Sequence, residues 1–68
     1  MNKRYVAIKG TLTTSNTIAH MQIIKTSSRA DTCLRAARQE AQKISTQVLG
    51  FDCFLYDFEK QELIKVAA

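Results

Sequence analysis

The stretch Ser28–Gly50, SRADTCLRAARQEAQKISTQVLG, decides how the rest of the chain is read. Within it Ala30, Cys33, Leu34, Ala37, Ala41, Ile44 and Val48 recur at helical spacing. At about 100° per residue they form one apolar stripe. Ser28 with Asp31 three residues on is a variant of the capping box, which offers side-chain oxygens to the orphan amides of a helix start. Gly50 supplies the left-handed stop that other residues adopt only at a cost. The spacing therefore predicts one continuous helix of about 20 residues, roughly 30 Å long. Its outward side carries Asp31, Arg35, Arg38, Gln39, Gln42, Lys43 and Thr46, with Asp31–Arg35 and Glu40–Lys43 as pairs of opposite charge. Each such pair contributes only a few tenths of a kcal/mol, roughly.

The flanks read as strands that this stripe must cover. Tyr5 to Thr13 alternates, with Val6, Ile8, Gly10 and Leu12 on one side and Tyr5, Ala7, Lys9 and Thr11 on the other. Thr14-Ser15-Asn16-Thr17 is a polar turn in which Asn16 can take a positive φ. Thr17 to Thr26 continues as a second strand. A turn centred on Ser15-Asn16 sets Leu12 opposite Ala19, Ile8 opposite Ile23 and Lys9 opposite Gln22, so that the apolar sides coincide. After the helix, Phe51–Asp57 and Glu62–Ala67 form a second hairpin around Phe58–Gln61, pairing Cys53 with Val66 and Leu55 with Ile64. The order strand-strand-helix-strand-strand predicts an α+β fold. It is a four-stranded antiparallel sheet of order 2-1-3-4, with one helix on one face.

The totals narrow the class. Sixty-eight residues without proline suit a single ββαββ domain over residues 1–68, near the size where one core just suffices. The longest apolar run is too short to cross a bilayer. The basic start Met1-Asn2-Lys3-Arg4 lacks the unbroken apolar region of a signal peptide, because Lys9, Gly10 and the threonines interrupt it. A cytoplasmic protein without a membrane partner is expected. Cys33 and Cys53 are too few for a disulfide scaffold. With His20 the only histidine, they are also too few for a zinc site. They are either two reduced core thiols or a helix-to-strand disulfide. Residues 1–50 hold eight Lys and Arg against Asp31 and Glu40, an excess of +6; residues 51–68 hold Lys60 and Lys65 against four acids, −2. A basic excess favours acidic partners, nucleic acid or an acidic protein surface.

One helix covers one side of a sheet. In this reading the other side carries Tyr5, Lys9, His20, Gln22, Phe54, Tyr56 and Lys65 among aliphatic neighbours. An uncovered apolar face marks an interface. It fits a protein partner, a second copy of the chain, or single-stranded bases stacked on Phe54, Tyr56 and Tyr5 with Lys9 and Lys65 at phosphates. Arg29, Arg35 and Arg38 on the helix are further candidates for acidic contacts. No catalytic constellation, Gly-rich phosphate loop or metal-ligand spacing is present, so no enzyme activity, cofactor or metal is expected.

The chain also resembles small single-domain phage-encoded inhibitors of the anti-CRISPR type. The resemblance lies in its length, its strand-strand-helix-strand-strand order, and its alanine-rich helical stripe leading into Arg38-Gln39-Glu40-Ala41. It is a likeness of pattern over most of the chain. It implies a non-enzymatic protein that docks on a host protein or ribonucleoprotein complex, an RNA-guided effector, and blocks nucleic-acid access. The other expectation, independent of that resemblance, is a module that binds DNA or RNA directly through a basic and aromatic sheet face.

Overall fold

In the computed structural model, which describes residues 3–67, the chain runs β1 (Tyr5–Leu12), β2 (Ile18–Ser27), α1 (Ala30–Ala41), α2 (Ile44–Val48), β3 (Asp52–Asp57) and β4 (Glu62–Val66). Met1 and Asn2 of the basic start, and Ala68, lie outside the described residues. The strands form one antiparallel sheet in the order β2-β1-β3-β4, and α1 packs across one face of it. This is the α+β arrangement that the alternating flanks and the helical stripe predict.

The layer between α1 and the sheet is built from small residues. Ala7, Cys33, Ala37, Cys53, Leu55 and Val66 form the buried cluster, with Tyr5, Ile24, Leu34 and Ala41 packed around it. Small side chains on both surfaces let the helix axis come close to the strands. Both thiols are free and buried in this cluster. The Cys33 thiol donates to the carbonyl oxygens of Tyr5 at 3.6 Å and Lys25 at 3.7 Å, which ties α1 to β1 and β2. The β3–β4 hairpin has the expected register, Cys53 with Val66 and Leu55 with Ile64. Asn16 takes the expected positive φ of 63° in the first turn.

Three local features differ from the sequence reading. The first is the helix, which breaks at Gln42-Lys43. A helix of 12 residues is about 18 Å long, enough to cross four strands about 4.8 Å apart, so the remainder of the stripe has no sheet left to cover. The break instead reverses the expected sides: Thr46, expected outward, is buried, and Ile44 and Val48, expected on the buried stripe, stand in solvent. Gly50, at φ 75°, ends α2 rather than α1, with Phe51 N donating to Thr46 O and Gly50 N to Gln47 O, the paired bonds of a Schellman stop. At the other end Ser28 does not cap. Arg29 holds the cap position, its amide donating to Ser27 Oγ at 3.1 Å, and Asp31 pairs with Arg29 at 3.4 Å rather than with Arg35.

The second is the orientation of β1. Val6 stands opposite Tyr56 and Ile8 opposite Phe54, while Ala7 stands opposite Leu55 and Lys9 opposite Cys53. Tyr5, Ala7 and Lys9 therefore face α1, and Val6 and Ile8 face away. Alternation in a central strand buried on both sides records how near the covering layer lies, not which side is wet. The third is β2, which carries two one-residue bulges. One places His20 and Met21 opposite Gly10, with His20 at φ 57°; the other places Ile24 and Lys25 opposite Ala7. Each bulge shifts the register by one and moves the following side chains to the other face. The sequence-derived pairs Ile8–Ile23 and Lys9–Gln22 hold between the bulges; Leu12 meets Ile18 rather than Ala19 beyond them.

Candidate functional site: the helix-free face

Val6, Ile8 and Phe54 are buried on the side of the sheet away from α1 and form a second small core with Ile18 and Tyr56. Above it runs an apolar trough of about 410 Å³. Val6, Ile8 and Tyr56 form its floor. Ile18, Met21 and Ile23 of β2 make one wall, and Phe58 and Leu63 of the β3–β4 hairpin the other. Met21 is 59% exposed, Ile23 68% and Phe58 56%. No lining residue carries a charge.

The walls have local causes. The bulge at His20-Met21 curls β2 over β1, and Gly10 is the residue that permits it. A Cβ on Gly10 would lie 2.3 Å from Ile18 Cγ2 and 2.9 Å from Ala19 O. On the opposite wall, the Phe58 ring stands edge-on against Tyr56, centroids 5.0 Å apart at 84°. This geometry suits the ring quadrupoles and holds the turn residue over the trough.

The polar groups converge elsewhere. Glu40 Oε2 accepts from Lys9 Nζ at 2.7 Å and from Thr46 Oγ1 at 3.2 Å, and Oε1 lies 3.1 Å from Lys43 Nζ. Lys9 first and Lys43 second hold the Glu40 carboxyl down to about 2. Asp57 takes two parallel bonds from the Arg4 guanidinium at 3.0 Å and accepts from the amides of Glu59 and Lys60. Arg4 is the main reason its carboxyl also sits at about 2. Both carboxylates are saturated with donors and act as clasps: Glu40 joins α1, α2 and β1, and Asp57 joins the start of β1 to the hairpin turn. Burial raises the pKa of both cysteine thiols, which disfavours the reactive thiolate. Among the described residues no three His, Cys, Asp or Glu side chains gather in a way that could hold a metal ion, and no helix is long and apolar enough to cross a membrane.

The sequence-derived candidates do not form one face. Tyr56 lies in the trough, and Lys65 stands on that side opposite Phe54, 3.6 Å from Asp52. Phe54 shares the face but is only 3% exposed, so its ring offers no surface for stacking. Tyr5 and Lys9 belong to the α1 side. Tyr5 packs against the helix-side core with the Arg4 guanidinium 5.0 Å from its ring, and Lys9 is consumed by Glu40. Gln22, opposite Lys9, follows it to that side, and His20 is exposed at the bulge. Arg29, Arg35 and Arg38 are exposed on α1 and its cap; among the described residues Arg35 and Arg38 enter no ion pair. Met21, Ile23 and Phe58 were missed. Ile18, Met21, Ile23 and Ile24 cannot share one face at period two, and that conflict was the available sign of a bulge. Phe58 opens the polar turn Phe58–Gln61, a position that reads as solvent.

No protein-family model matches the chain, and neither the curated proteins nor the solved structures contain a significant match to it.

Proposed function

We propose that this chain is a non-enzymatic binding protein whose contact surface is the apolar trough, and that its ligand is an apolar segment of a partner protein. The observation that carries this reading is the uncharged lining of a trough whose walls expose Met21, Ile23 and Phe58. Exposed apolar surface of this kind is a liability unless a partner removes it from water. Phosphate finds no cation in the trough, so contact with protein is favoured over contact with bare nucleic acid. Met21 and Ile23 supply adaptable side chains on one wall, and Tyr56 with Phe58 supplies rigid aromatic ones on the other.

The likeness to small phage-encoded inhibitors supports a finer form of the proposal. The partner is an RNA-guided effector complex, and docking obstructs its nucleic-acid channel. The net charge of +4 draws the protein towards an acidic assembly, while the trough makes the contact. The test uses a panel of purified effector complexes with their targets. The chain binds one of them and blocks target binding; Ile23→Asp lowers that affinity by roughly tenfold or more while the circular dichroism spectrum stays folded. Binding to none of the complexes overturns the inhibitor reading. Equal binding by Ile23→Asp overturns the trough. Affinity for bare oligonucleotide that falls steeply with salt would establish direct nucleic-acid binding in its place.

A further inference from the structure

The two edges of the sheet are not alike. The β2 edge is interrupted by both bulges, at His20-Met21 and at Ile24-Lys25, and an interrupted edge cannot accept a regular partner strand. The β4 edge is regular. Its five residues pair with β3 without a register shift, and among the described residues nothing is hydrogen-bonded to its outer side. Ile64 points to the α1 side and is 51% exposed. An unbroken strand edge with an exposed aliphatic residue at its centre is a template for another strand.

We propose that β4 pairs antiparallel with β4 of a second copy, about a two-fold axis at Ile64, to make a continuous eight-stranded sheet. Self-complementarity is what selects a second copy as the occupant. A two-fold antiparallel pair must be centred on a residue facing its own equivalent. Centring on Glu62 or Lys65 sets like charges against each other. Centring on Ile64 overlaps all five residues, packs the two Ile64 side chains together, and sets Leu63 opposite Lys65 and Glu62 opposite Val66. The local charge agrees. Residues 51–68 carry a net −2 against +6 for residues 1–50, so two copies that meet at β4 avoid opposing the basic part of the chain.

The axis stands perpendicular to the sheet. Both α1 helices then lie on one side and both troughs on the other, flanking the shared seam. The pairing thus converts one docking surface into two on a single face. It is independent of what the trough binds.

Sedimentation from about 1 μM to about 1 mM, with hydrogen exchange of the β4 amides at both ends of that range, tests the proposal. The expected result is a rise from monomer to dimer mass with protection of β4 appearing in step. Ile64→Lys, which opposes two ammonium groups across the axis, raises the dissociation constant by roughly tenfold or more and abolishes that protection. Ile23→Asp leaves the dimer intact, and Ile64→Lys leaves partner binding through the trough intact, so the two proposals fail separately. A monomer at every concentration overturns the pairing. So does a dimer that survives Ile64→Lys but dissolves with Ile23→Asp or Val48→Ser, and so does β4 exchange that ignores concentration. Should Ile64→Lys not fold, the unmodified chain decides through mass and exchange alone.

Discussion

Glu40 and Asp57 are single residues on which several elements depend. Both have carboxyls depressed to about 2, from ordinary values of 4.5 and 3.8. A depressed folded pKa contributes stability that is fully present above the unfolded value and is lost as pH falls through the folded one. The thermal midpoint should therefore be level above about pH 5 and fall progressively towards pH 2. Glu40→Gln should flatten part of that slope, because its share no longer titrates. A midpoint unchanged down to pH 2 would show that the Lys9 and Arg4 clasps contribute nothing. Gly10 acts through space rather than through its backbone angle. Gly10→Ala places a methyl against Ile18 Cγ2 and Ala19 O, where β2 curls over β1. Overpacking of this kind costs about 1–3 kcal/mol, a midpoint lower by roughly 10 °C in a chain this small. Denaturation of the variant checks this, and an unchanged midpoint would mean that the bulge slides away freely.

Strand order, hairpin turns and the helical stripe were legible because each rests on local chemistry repeated over many residues. Alternation marks strands, polar residues mark Thr14–Thr17, and alanine with cysteine marks the side of α1 that lies close to the sheet. The β3–β4 hairpin was legible to the residue, since a regular ladder follows from its turn. What was not legible depends on contacts distant in sequence. The bulges of β2 answer to the curvature of the whole sheet, and His20 carries no glycine-like signal for its positive φ. Both sides of β1 are covered, so only its register against β3 reveals that Lys9 meets Glu40 beneath the helix. That one inversion moved Tyr5, Lys9 and Gln22 off the candidate face. The break after Ala41 was equally hidden, because Ile44 and Val48 continue the stripe by angle and only the finite width of the sheet ends it.

At the scale of the molecule the two faces of the sheet differ in kind. One is dry, closely packed and clasped by ion pairs. The other is a trough with exposed walls and no charge. The expectation that a lone helix leaves one face open therefore holds, and Phe54 and Tyr56 lie on that face as expected, while Lys9, expected there as a cation, lies beneath the helix. The lining of the trough holds no cation, and Arg35 and Arg38 lie on α1, across the sheet from it. The arginines of α1 can act on a partner through long-range attraction, and the trough through contact. If the proposed acidic partner is the right one, replacing Arg35 and Arg38 by Glu should slow association with it and weaken its salt dependence, while dissociation changes little. Stopped-flow or surface-plasmon kinetics separates the two. A variant whose dissociation alone accelerates would place these arginines in the contact itself.

The burial of the two thiols gives the chain an internal clock. Cys33 rides on the helix and Cys53 on the strand beneath it, with neither reachable by a bulky alkylating reagent while the layers stay joined. Modification must wait for the helix to lift, so its rate counts those excursions. If the layers separate in one concerted step, both sulfurs acquire label together; if the helix frays alone, Cys33 is labelled first. Mass spectrometry of partly reacted protein reads the order directly.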